Sequence, residues 1–253
     1  MSKMVKLKNA LFSMKLKIVG SGSKGNAYIV YNDKEALLIE AGVNFKAVKT
    51  ALDFDISKVS GCLITHCHND HAQYAWDILK SGINVYCLKE TAEIKNLKGH
   101  RVEYLLNGIT YHIGNFKVIA MPVRHDVPCV CFLIEHPETG RFCFVTDTFF
   151  CEYVFPGMNN VIVEANYGEG IIDSKNDPAF LRDRILQSHM SIETCEEFLQ
   201  ANDLSEVNNI VLIHLSDRNS HALDFKNKIS KQTGCNVHIA DNGMEIPFGK
   251  TPF

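Results

Sequence analysis

Thr65-His66-Cys67-His68-Asn69-Asp70-His71 packs three imidazoles and a carboxylate into seven residues, which is the donor chemistry of a transition-metal site. In an extended segment residues two apart face the same way, so His66 and His68 can grip one ion. Asp70 and His71 follow where the chain turns toward a helical pattern, and they can face a second ion beside the first. Four such side chains are poor core material, because burying polar groups unpaired costs several kcal/mol apiece. A metal removes that penalty. A lone histidine in a hydrophilic loop is more often a solvated turn; the complete H-x-H-x-D-H pattern at a strand end carries the signal.

The elements around this motif are legible from periodicity. Short β-like runs cover Leu16–Val19, Ala27–Tyr31, Ala36–Ile39, Cys62–Thr65, Val85–Leu88, Thr110–His112, Phe116–Met121, Cys129–Ile134 and Phe142–Thr146. Helical patterns lie near Phe45–Leu52, Ala72–Leu79 and Thr91–Leu97. After Glu164 helices dominate, at Pro178–Leu186, Ile192–Ala201 and His221–Lys231, around strands Ile210–His214 and Val237–Ala240 and a closing Met244–Pro247. Many strands with helices to cover their outer faces predict an α/β fold, an αββα four-layer sandwich. The metal motif then occupies a strand-to-helix loop. No repeat or linker divides residues 14–253, which are expected to form one domain, with residues 1–13 as a leader or edge extension.

The H-x-H-x-D-H motif resembles the signature of metallo-β-lactamase-fold hydrolases, and the resemblance can be followed from Met14 along almost the whole chain. It implies further ligands at strand ends. His125, in Val123-Arg124-His125-Asp126, would complete one metal site with His66 and His68. Asp147, in Phe144-Val145-Thr146-Asp147-Thr148, would be the carboxylate shared by two ions. His214, ending Ile210-Val211-Leu212-Ile213, would join Asp70 and His71 around the second. Gly20-Ser21-Gly22-Ser23-Lys24-Gly25-Asn26 and Ser188-His189-Met190-Ser191 are similar to elements of the YycJ-type bacterial members, as are Glu164-Ala165-Asn166 and Arg184-Ile185-Leu186. Related phosphodiesterases, ribonuclease Z among them, place a non-ligand histidine at the equivalent of His189. The resemblance therefore implies phosphodiester chemistry, with Asp70 and His189 catalytic and with Ser23, Lys24, Asn26, Asn166 and Arg184 as candidate substrate contacts. The glycine loop is not a P-loop, since Asn26 stands where Lys-Ser/Thr should begin. Glu40 departs from the family, which usually has Asp there; it is expected behind the metal loop, where one extra methylene alters the support of the ligands.

Two divalent ions per chain follow from this ligand set, zinc first, with manganese or iron as alternatives. A water between them would ionise near neutral pH and attack phosphorus. The YycJ-type resemblance implies a nuclease, with a 5′-directed exonuclease acting on DNA as the first expectation. A small-molecule phosphodiesterase or an acyl hydrolase on the same core is the second, and a non-hydrolytic iron-binding redox or sensor protein the third. Net charge is −3, so any nucleic-acid contact must come from a local patch or from the metals. The nine cysteines sit mostly in apolar runs with no C-x-x-C pair, which predicts buried free thiols and a reducing, cytoplasmic setting. No apolar run approaches membrane-spanning length. His100, His112, His136, His221 and His238 fit no motif and are expected to be structural or solvated.

Overall fold

The computed structural model describes residues 14–174 and 178–251; the leader or extension expected at 1–13 lies outside them. In chain order the elements are β1 (Lys15–Gly20), β2 (Ala27–Tyr31), β3 (Ala36–Ile39), α1 (Phe45–Ala51), β4 (Val59–Leu63), α2 (Asn69–Ala72), α3 (Ala75–Lys80), β5 (Val85–Cys87), α4 (Lys89–Ile94), β6 (Val102–Tyr104), β7 (Thr110–Ile113), β8 (Phe116–Val123), β9 (Cys129–His136) and β10 (Gly140–Val145). They continue with β11 (Met158–Glu164), α5 (Glu169–Asp173), α6 (Ala179–Ser188), α7 (Ile192–Ala201), β12 (Asn209–Ile213), α8 (Ala222–Thr233), β13 (Asn236–Ile239) and β14 (Glu245–Pro247). Two mixed sheets result, ordered β14-β1-β2-β3-β4-β5-β6 and β13-β12-β11-β10-β9-β8-β7.

Alternation along the strands builds the layers. Tyr28, Val30, Leu37 and Ile39 of the first sheet meet Phe116, Phe132, Phe144 and Ile213 of the second in a buried central core. Their neighbours Ala27, Ile29 and Leu38 face the other way, onto Phe45, Val48 and Ile78 of α1 and α3. On the far side Val161, Val163, Ile210 and Leu212 pack against Ile192, Phe198, Phe225 and Ile229 of α7 and α8. This is the expected helix–sheet–sheet–helix sandwich. β11 and β12 are buried along almost their whole length because both faces are covered.

Some expectations need correction. β6 and β11 were not expected as strands. β6 has a polar, largely exposed pattern and is recruited by parallel pairing with β5. β11 opens on Met158-Asn159-Asn160 and has only the three-residue apolar run Val161-Ile162-Val163, without the alternation that marks a one-sided strand. The pattern at Ala72–Leu79 is two helices, α2 and α3, because Tyr74 donates its backbone N–H to Ala41 outside the helix. All nine cysteines are free and eight are buried. No helix among the described residues is long and apolar enough to cross a membrane.

Candidate metal centre

The parallel strands β3 and β4 of one sheet, and β10, β11 and β12 of the other, end at the same edge of the sandwich, where open α/β sheets bind ligands. At that edge Glu40, Asp147 and His214, each directly after or one residue beyond a strand, take positive φ of 70°, 50° and 54°. Non-glycine residues rarely do so. The turn swings each side chain off the line of its strand, and such backbone persists where its surroundings enforce it.

The motif loop is interlocked with two other backbones. Asn26 N–H donates to the Asp70 carbonyl at 2.7 Å, Gly42 N–H to the Asn26 carbonyl at 2.9 Å and Ala41 N–H to the His71 carbonyl at 2.7 Å. A Cβ on Gly42 would lie 1.7 Å from the Asp70 carbonyl oxygen, so only glycine permits this approach.

Two groups of donors converge. In the first, His66 Nε2 and His125 Nε2 lie 3.0 and 3.2 Å from His68 Nδ1, and Asp147 Oδ2 is 3.8 Å from both Nε2 atoms. In the second, Asp70 Oδ2 is 3.4 Å from His71 Nε2 and 3.3 Å from His214 Nε2. Asp147 turns its other oxygen, Oδ1, to His71 Nε2 at 3.4 Å and His214 Nε2 at 4.0 Å. One carboxylate thus serves both groups, one oxygen to each.

The outward atoms of the rings are fixed from behind. The Ser188 carbonyl accepts from His125 Nδ1 at 2.9 Å, which leaves the lone pair of His125 on Nε2. Thr65 Oγ1 lies 2.9 Å from His66 Nδ1 and donates to Glu40 Oε1 at 2.6 Å. His71 Nδ1 is 3.3 Å from Glu40 Oε1 yet is buried without a hydrogen bond. Glu40 therefore sits behind the loop, against His71. Burial weighs most on Asp147 and opposes its ionisation, but His214 and His71 outweigh it and hold the carboxyl below its ordinary range. For His66 burial and the neighbouring His71 act together to hold the ring below its ordinary value.

The donor set fits divalent cations. In the first group three imidazole nitrogens converge on one another, and in the second His71 and His214 Nε2 gather around the carboxylates of Asp70 and Asp147. Intermediate metals take this mixture of imidazole and carboxylate donors. The residues that could hold ions are His66, His68, His125 and Asp147 on one side and Asp70, His71 and His214 on the other, and a third convergence, Asp147, Glu164, His189 and His214, is built around the pairing of His189 with Glu164.

Glu164, given no role of its own by the sequence reading, stands at the junction. It is fully buried at the end of β11; its Oε1 accepts from His189 Nδ1 at 2.7 Å and lies 3.2 Å from His214 Nδ1. A carboxylate closing an apolar run, Val161-Ile162-Val163-Glu164, was the available signal, since Asp147 and His214 follow apolar runs in the same way. His189 stacks on His214 with centroids 5.2 Å apart. Burial opposes its protonation, but Glu164 outweighs this and raises the ring above its ordinary value.

The candidate substrate contacts divide. Ser23 and Arg184 line the cleft of about 400 Å³ over the donors, together with His68, Asp126 and His189. Lys24 faces an adjoining groove and pairs with Asp217 at 3.3 Å, both highly exposed. Asn26 and Asn166 are corrected: both are buried behind the donors. Asn26 spends its amide on Gly22, Asp70 and the His71 ring, and Asn166 on His214. Loop position alone did not separate a side chain on the cleft surface from one pinning the loop beneath it.

Comparison with known proteins identifies the family and the fold. The description of the metallo-beta-lactamase superfamily matches residues 20–152. The chain is 27% identical over 214 residues to an exodeoxyribonuclease YycJ of Bacillus anthracis, covering 79% of this chain and 81% of the relative. Ribonuclease Z of Methanococcus maripaludis is 27% identical over 132 residues, 43% of this chain and 41% of the relative. Among solved structures, the metallo-beta-lactamase fold protein YhfI of Bacillus subtilis superposes with a TM-score of 0.72 at 14% identity, over 92% of this chain and 98% of that one. Human tRNase Z, short form, gives 0.64 at 16% identity, over 95% and 100%.

Proposed function

Since the chain belongs to the metallo-β-lactamase superfamily, we propose that it is a dinuclear metal-dependent phosphodiesterase acting on nucleic acid, with a DNA end as the first-choice substrate and zinc before manganese or iron as the metal. The observation that carries this reading is His189. It lies in the cleft wall, outside both donor groups just described, with Nδ1 bound to Glu164 at 2.7 Å. Glu164 accepts from Nδ1 and so leaves Nε2 as the ring's remaining donor, while its charge favours the protonated ring. Such an imidazole can hydrogen-bond a phosphoryl oxygen and deliver a proton to the departing oxygen.

Cations held by the two groups would supply Lewis acidity and make water acidic enough to ionise near neutral pH. The remaining work belongs to the chain. Asp70, partly open to the cleft, accepts a hydrogen bond from the incoming water and orients it. Asp147 holds the two groups in register, Glu40 and Glu164 steady the rings, and Arg184 offers charge to a phosphate. The relatives named as an exodeoxyribonuclease and as ribonuclease Z support a nucleic-acid substrate, and the former supports DNA.

His189→Ala is expected to keep its metal content while turnover on single-stranded DNA falls by about 10²–10⁴, the usual contribution of a positioned acid. Metal analysis and kinetics on the same sample test this. A variant that loses its metals, or one that retains full turnover, removes the assigned role.

A further inference from the structure

Helix α6 breaks the packing rule of this fold. Of its ten residues only Ser188 is buried, and Phe180 and Leu181 are exposed, whereas α7 and α8 each press apolar side chains into the core. Its C-terminal end is tied to the centre, through the Ser188 carbonyl on His125 and through His189 on Glu164. Leu181, Arg184, Ile185 and Ser188 follow the i, i+3, i+4, i+7 spacing of one helix face, and all four line the cleft.

Leu181 and Ile185 thus present apolar surface beside a centre built for anions. Arg184, between them in sequence, is the one Lys or Arg lining the cleft among the described residues. A ligand matching this wall is anionic at one end, apolar at the other, and asks for few cationic contacts within the cleft. A nucleotide at a strand end has those properties, whereas the interior of a long polyanion calls for a row of cations. A base reaches such a wall only when it is out of its stack and unpaired.

Building on the phosphodiesterase reading above, we propose that this face of α6 binds the base of an unpaired terminal nucleotide, with Arg184 on its phosphate, and that the centre therefore prefers single-stranded ends to duplex ends. Leu181 and Ile185 set this specificity without taking part in the chemistry.

The test uses the metal-loaded full chain and a Leu181→Ser, Ile185→Ser double variant, with metal content measured in both. Substrates are a single-stranded oligodeoxynucleotide, the same strand ending in an abasic residue, a blunt duplex, and bis(p-nitrophenyl) phosphate. The unaltered protein should favour the normal single-stranded end over the abasic end by about tenfold in kcat/KM, the scale of about 50–60 Å² of apolar surface buried. It should also favour it over the blunt duplex. The double variant should keep its metals and lose this preference through a raised KM with kcat changed less than about threefold. Equal rates on normal and abasic ends, or a preference that survives in the double variant, would overturn the α6 assignment while leaving the nuclease reading in place. Turnover of the aryl diester with no cleavage of any oligonucleotide would overturn both.

Discussion

Near the starts of β3, β11 and β12 stand Glu35, Asn160 and Asn209; at or just beyond their ends stand Glu40, Glu164 and His214. Both edges of the sandwich bury imidazoles with carboxylates or amides, but they pair them by different rules. At the first edge His136 Nε2 donates to Glu35 Oε1 at 2.9 Å while its Nδ1 accepts from the Glu138 N–H at 3.1 Å. Asn209 donates to Asn160 Oδ1 at 2.8 Å, and His238 Nε2 donates to Asn209 Oδ1 at 3.2 Å. These donors meet acceptors. At the second edge imidazole nitrogens converge on one another across 3.0–3.2 Å. Residue type is similar at the two edges, so what marks a metal centre is a surplus of lone pairs aimed at a common point.

Substitutions should separate the edges. Asp147→Ala removes the carboxylate common to both donor groups, so it is expected to lose bound metal and cleavage together; metal affinity should fall by more than the about 10–100-fold typical of an outer partner. Retained metal after dialysis would break the assignment of Asp147 as shared ligand. Glu164→Gln keeps shape but removes the charge behind His214 and His189. Metal affinity is expected to drop by about tenfold or more, with turnover falling further as His189 loses its partner, as followed by competition with a chelator and by kinetics.

At the other edge the signature reverses. Asn209→Leu leaves Asn160 Oδ1 and His238 Nε2 without their partner and should destabilise the fold by about 1–3 kcal/mol, the cost of stranding buried polar groups. Metal content and kcat should not change. Chemical denaturation beside metal analysis checks both halves, and loss of metal in this variant would erase the distinction.

The smallest effect is expected at Glu35. Burial, its largest influence, raises its pKa, but hydrogen bonds from Asn115 and His136 outweigh this and lower it below the ordinary value. A carboxyl depressed in the folded state contributes stability above its unfolded pKa, and that contribution is lost as pH falls through the folded value. The Tm deficit of Glu35→Gln should therefore be present at pH 6, on the order of 2 °C for a chain of this size, and shrink below about pH 4, near and under the reference carboxyl pKa. A deficit that grows on acidification would contradict the sign.

The sandwich was legible because its signal is local. Alternation in β1, the β-branched and aromatic run of β2, and helical spacing in α7 appear within short windows, and the H-x-H-x-D-H loop follows its strand directly. What escaped detection lacked such a signal. β6 is recognisable only beside β5, and Glu164 resembles any charge at the end of an apolar run until His189 and His214 are brought against it. Asn26 and Asn166 lie in loops that touch the site, yet only packing shows that their amides point under it.

The sequence by itself determined the layers and supplied the donor chemistry, because hydrophobic period and side-chain type are properties of short segments. The tertiary structure decided which of those side chains converge. His125 lies 57 residues from His68 along the chain and His214 lies 144 from Asp70, and they meet because parallel strands of two sheets end at one edge and the chain turns at positive φ there. Distances of that kind are set by strand order and backbone handedness, which the assembled sheets fix together.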